Sequence, residues 1–123
     1  MRKARTWWAS SFWPQNADDI LKVANNYEAQ QNAWYRQVGG YWDMAAALVL
    51  RGALNEDLFF DTNNEMWFTL AKIYPALEEF REKSGSPQAF MRVEQLATRT
   101  DAGKQRLQAL MKRIEGMRQA RAT

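Results

Sequence analysis

The sequence predicts an all-α fold, a single-domain irregular bundle of about five to six helices with an amphipathic, basic C-terminal helix. Three observations carry this. Apolar residues recur at three- and four-residue spacing along most of the chain, strand-like alternation is nearly absent, and the punctuation is made of helix caps: Asn16, Gly52, Asn55, Gly85 and the run "KSGSP". The chain's 123 residues give room for one core without staples. Its parts read as a basic and aromatic segment (1–15), a helical core (16–100) and a basic amphipathic helix (101–123).

The first segment, "MRKARTWWASSFWP", sets Arg2, Lys3 and Arg5 ahead of Trp7, Trp8, Phe12 and Trp13. As a helix it places Trp8 and Phe12 on one face, with Trp7 and Trp13 partly off it. That face is expected to dock on the domain. The alternative is an interfacial patch, with the rings in a membrane surface and the cations on anionic headgroups. Two serines and Pro14 break the pattern of a signal peptide, and the longest apolar run, "MAAALVL", is far short of the ~20 residues a span requires. No transmembrane helix is expected.

Asn16 is a good N-cap with Asp18 and Asp19 in the first turn, and it opens a long helix bearing Ile20, Val23, Ala24, Tyr27, Trp34 and Val38 on one face. Gly39 and Gly40 predict a break or kink, after which "YWDMAAALVLRG" reads as a buried helix stopped by Gly52. Asn55 caps a short helix through "EDLFFD", and "TNN" turns into a helix from about 65 to 83. Trp67, Leu70, Ile73, Tyr74, Leu77 and Phe80 are its core face, and Pro75 predicts a kink or a split. Gly85 stops it; Ser86 and Pro87 then suit the N-cap and first position of a helix carrying Phe90, Val93 and Leu96 inward. The last helix, about 102–121, has Leu107, Leu110, Met111, Ile114 and Met117 in a stripe, with Lys104, Arg106, Lys112, Arg113 and Arg118 mostly off it.

Charge is distributed unevenly. Residues 1–5 carry a net +3 and residues 99–123 a net +5, so a total of +3 leaves the middle at −5. Basic ends on an acidic body suit a chain whose termini meet an anionic partner or surface.

Histidine and cysteine are both absent, which removes the usual general base, thiolate metal ligands and the commonest nucleophile pairs. Glu78 and Glu79 are adjacent on a helix and so point about 100° apart, which does not suit an acid–base pair. "NEDLFFDTNNE" lacks the glycine and ligand order of a calcium loop, and no glycine-rich phosphate motif is present. Arg51 and Arg81 read as helix-end cations, Arg51 pairing with Glu56 or Asp57 and Arg81 with Glu78. The expectation is a non-enzyme with no catalytic, cofactor-binding or metal residues.

The stretches "NYEAQQNAWYRQVGGYWDMAAALVLRGALNEDLFF" and "EMWFTLAKIYPALEEFREKSGSPQAFMRVEQLA", within residues 26–97, resemble a family of uncharacterised bacterial helical domains known as a domain of unknown function. The resemblance implies a helical fold and brings no catalytic residue with it. Many members of that family look membrane-tethered, through a segment that would sit where this chain has "RTWWASSFW".

Three functions are consistent with these readings. The first is a cytoplasmic protein-interaction or scaffold module, engaging a partner or itself through the C-terminal helix. The second is a peripheral membrane protein using Arg2, Lys3, Arg5, Trp7, Trp8, Phe12 and Trp13. The third is a non-specific nucleic-acid binder using Lys104, Arg106, Lys112, Arg113 and Arg118.

Overall fold

The computed structural model describes residues 1–122 and forms seven α-helices, with no strand among the described residues. They are α1 (Arg2–Ser10), α2 (Ala17–Ala24), α3 (Gln30–Leu50), α4 (Glu56–Thr62), α5 (Glu65–Ser84), α6 (Met91–Ala97) and α7 (Asp101–Ala122). α1 and α6 pack on α3, while α2 and α7 pack on α5. One hydrophobic cluster runs through them, from Ala4, Trp8 and Phe12 through Ile20, Trp42, Trp67 and Leu77 to Leu107, Leu110 and Ile114.

The count exceeds the expected five to six because the N-terminal segment is itself a helix. The helix expected from Asn16 onward also divides in two, but its second part joins the helix expected after Gly40, so the count is unchanged by it. α2 begins as read, with the Asn16 side chain accepting the Asp19 N–H at 2.9 Å, but it stops at Ala24. Asn32, buried in the first turn of α3, donates its amide to the Val23 and Ala24 carbonyls at 2.9 and 3.0 Å. Those bonds supply the Ala24 carbonyl with a donor and add one to the Val23 carbonyl, which also accepts from the backbone of the turn, so the end of α2 is satisfied there. Tyr27 lies in the turn, 73% exposed, and is not core.

The break expected at Gly39 and Gly40 does not occur; α3 runs through both. Gly39 faces the Phe90 ring, whose Cε1 and Cζ would lie 3.3 Å from a Cβ placed there, so the glycine makes room for an aromatic side chain. Pro75 likewise sits inside a continuous α5 without splitting it. The helix expected from Ser86 starts later, at Met91, because residues 87–90 form turns and Phe90 takes a left-handed backbone (φ 57°). The caps at Asn55 and Gly85 and the stop at Gly52 form as read.

α7 does not present its apolar stripe as a free seam. Leu107, Leu110 and Ile114 are buried against the core, Met111 is half-buried and Met117 is exposed.

Candidate functional site

α1 is tied to α5 by long side chains. The Arg5 guanidinium is bidentate on Glu65, Nε to Oε2 at 2.6 Å and Nη2 to Oε1 at 2.5 Å. One turn on, the Trp8 indole donates to the Thr69 carbonyl at 3.3 Å. Lys72, 1% exposed, donates to the Trp8 carbonyl at 2.8 Å and to the Ala9 carbonyl at 3.3 Å. Its ammonium lies 3.5 Å from the centre of the Trp13 ring, so a buried cation is met by two carbonyls at a helix C-terminus and a π face. Burial pushes Lys72 down to about 7, and the charges of Arg118 and Arg121 add to that.

Between these ties, α1, α5 and α7 leave a groove of about 610 Å³. Trp8, Val38, Phe68, Leu110 and Met117 supply apolar walls, and Arg2, Arg5 and Arg113 supply cations. Glu65 is the acid among its lining residues, and it is taken by Arg5. Arg2 and Arg113 are exposed and make no ion pair among the described residues. A second, smaller groove of about 310 Å³ also runs along α1 and shares Arg2 and Thr6 with the first; in it Trp7 and Trp34 (ring centres 6.0 Å apart) meet Arg2 and Lys3.

The fold therefore sorts the sequence-derived residues. Of the N-terminal set, Trp8 (2% exposed) and Phe12 (5%) are core and unavailable to a membrane or partner in this conformation, whereas Trp7 and Trp13 are half-buried. Arg2, Lys3 and Arg5 are exposed. Of the C-terminal set, Arg106 and Arg118 are structural. Arg106 donates to the Phe60 and Asn63 carbonyls at 2.7 and 3.0 Å and stacks 3.5 Å over the Phe60 ring, closing the end of α4. Arg118 reaches the Pro14 carbonyl at 3.0 Å and Glu115 at 2.8 Å. Lys104, Lys112 and Arg113 remain exposed, and Arg113 alone of these lines the main groove.

Two helix-end cations are corrected as well. Arg81 pairs with Glu94 at 2.7 Å, not Glu78, and donates to the Ala89 carbonyl, while Tyr74 donates to the other Glu94 oxygen. Glu56 pairs with Arg99 and not with Arg51.

Sequence reasoning missed Lys72. Its signal was a lysine amid "LAKIY", flanked by apolar residues on a core helix.

Two properties hold for the described residues. No helix is long and apolar enough to cross a membrane, and no three or more carboxylates gather as a metal-binding group.

A family model described as a domain of unknown function, DUF4760, matches residues 1–100. The chain belongs to that family. No curated protein and no solved structure matches it. The DUF4760 match begins earlier than the resemblance over 26–97 and takes in α1 with its aromatic residues. It ends just before α7, so the groove of this DUF4760 chain is built from matched helices α1 and α5 together with a helix outside the match.

Proposed function

We propose that this protein is a non-enzymatic protein-interaction module whose partner surface is the groove between α1, α5 and α7. One observation carries the reading: cations far apart in sequence, Arg2 and Arg5 at one end and Arg113 at the other, rim a single groove with apolar walls. Apolar walls supply burial, and Arg2 and Arg113, the rim cations without an ion pair among the described residues, supply selection by charge, the division of labour of a protein interface. The chemistry of a reaction would need a nucleophile held by its base, whereas Glu65, the acid of the groove, has both oxygens on Arg5 and no hydrogen bond to Thr6, Ser10 or Thr69, so the groove supports binding better than catalysis.

The test is a photo-crosslinking amino acid placed at Met117 in the groove or at Tyr27 on an exposed turn, introduced into living cells. A discrete protein adduct from Met117, absent from Tyr27 and suppressed by Arg113→Glu, is the expected result. Identical adducts from both positions, or none from Met117, overturns the reading.

A second reading has a narrower basis. The half-buried Trp7–Trp34 pair beside Arg2 and Lys3 supports contact with an anionic membrane surface. Sedimentation with anionic vesicles that survives Trp8→Phe and is lost in Trp7→Ala favours it; no sedimentation of the full chain rejects it.

A further inference from the structure

The groove reading leaves its occupant open, and this inference rests on that reading and supplies one. We propose that the occupant is helix α4 of a second copy of this chain, exchanged reciprocally about a two-fold axis.

α4 has the chemistry the groove lacks. Its sequence, EDLFFDT, places Glu56, Asp57 and Asp61 within seven residues, and none of the seven is fully buried. Leu58 is 62% exposed, and Leu54 just before the helix is exposed too. Glu56 is engaged by Arg99 at 3.3 Å. Asp57 and Asp61 make no ion pair among the described residues, although Asp61 is near enough to Arg106 to favour its charge. An exposed leucine between unpaired carboxylates is complementary to apolar walls between unpaired arginines, in charge and in polarity.

The sequence carries the same complementarity in its gross layout. The basic ends hold a net +8 and the middle a net −5, and the groove gathers the ends while α4 belongs to the middle. The two surfaces also adjoin. α4 is followed directly by Asn63, Asn64 and Glu65, and the last two line the groove. Because lock and key lie side by side, one two-fold axis near that corner satisfies both contacts at once and closes the assembly as a dimer. Had they lain on opposite faces, the same contacts would join copies head to tail, into a ring or an open chain.

The experiment is sedimentation velocity on the full chain from micromolar to near-millimolar concentration, with two charge-reversed variants. One reverses the groove (Arg2→Glu with Arg113→Glu) and the other reverses the helix (Asp57→Lys with Asp61→Lys). The native chain dimerises, and raising salt to about 0.5 M weakens the dimer by about tenfold or more. Each variant alone is monomeric, since both its contacts join like charges. Mixed together they form a heterodimer, because one contact is then native and the other is native with its signs exchanged.

All four substituted side chains are exposed, and circular dichroism of each variant checks that the fold survives; the salt response of the native chain tests the proposal independently of them. A native chain that stays monomeric throughout overturns it, as does a dimer indifferent to salt or a mixture that stays monomeric. A Met117 adduct with a different protein, in a chain that is monomeric, ends this proposal and leaves the groove reading intact.

Discussion

Lys72 and Trp8, 64 residues apart, meet at the end of α1, where the ammonium donates to the Trp8 carbonyl at 2.8 Å. A helix C-terminus leaves carbonyls without donors, and here a lysine from α5 supplies the donor from inside the core. The cost is a desolvated charge with no carboxylate against it: its surroundings are the Trp8 and Ala9 carbonyls, the Trp13 and Phe68 rings, and Arg118 and Arg121 of α7.

This makes stability depend on pH. Lys72 is pushed down to about 7 in the fold from an ordinary 10.5. Below the folded value both states hold the proton, and the group's effect is constant. Between the two values the unfolded chain holds more protons, so stability rises with pH, at most by about 1.4 kcal/mol per unit. Urea midpoints measured over roughly pH 6 to 10 climb for the native chain and flatten for Lys72→Met. A native midpoint that falls over the same range contradicts the assignment.

Arg106 is expected to act on stability and not on anion binding. Arg106→Ala removes two charge-assisted bonds and a stacked guanidinium from the end of α4, a loss of about 2 kcal/mol in chemical denaturation. Arg106→Lys restores less than half of it, since an ammonium cannot both stack flat on Phe60 and fork to two carbonyls.

Neighbouring glycines in α3 respond in opposite directions. Nothing lies within 4 Å of a Cβ at Gly40, so Gly40→Ala stabilises by about 1 kcal/mol through helix propensity. Gly39→Val drives its side chain into the Phe90 ring and costs about 1–3 kcal/mol. Thermal melts of the two variants check the contrast.

The adjacent tryptophans separate as sharply. Trp8→Ala empties a core site bordered by Phe12, Tyr35 and Phe90 and costs about 3–5 kcal/mol. Trp7→Ala exposes less and costs about 1–2 kcal/mol. Comparable losses at both positions would mean that α1 sits differently.

What could be read in advance was the local chemistry. Asn16, Asn55 and Gly85 act within a few residues of themselves, so their roles were legible from the chain alone, as was the shared face of Trp8 and Phe12. Gly39 was misread, and Asn32 given no role, because their roles depend on partners outside their own helix: Phe90 for the glycine, the end of α2 for the asparagine. The groove was illegible for the same reason. Arg2 and Arg113 share it because α7 packs on α5 while Arg5 and Trp8 tie α1 to α5, and no spacing in the sequence encodes that meeting.

The bonds that secure the N-terminal region also set an order of events during synthesis. α1 leaves the ribosome ahead of the other six described helices, but its C-terminal carbonyls wait 64 residues for Lys72, and the Pro14 carbonyl waits 104 for Arg118. At about 5–20 residues per second, the C-terminal carbonyls of α1 stay without these donors for several seconds, although α3, the helix on which α1 packs, emerges sooner. The Trp8 face thus meets Tyr35 of α3 before Lys72 exists to fasten the end of α1, so this helix docks early and is pinned later.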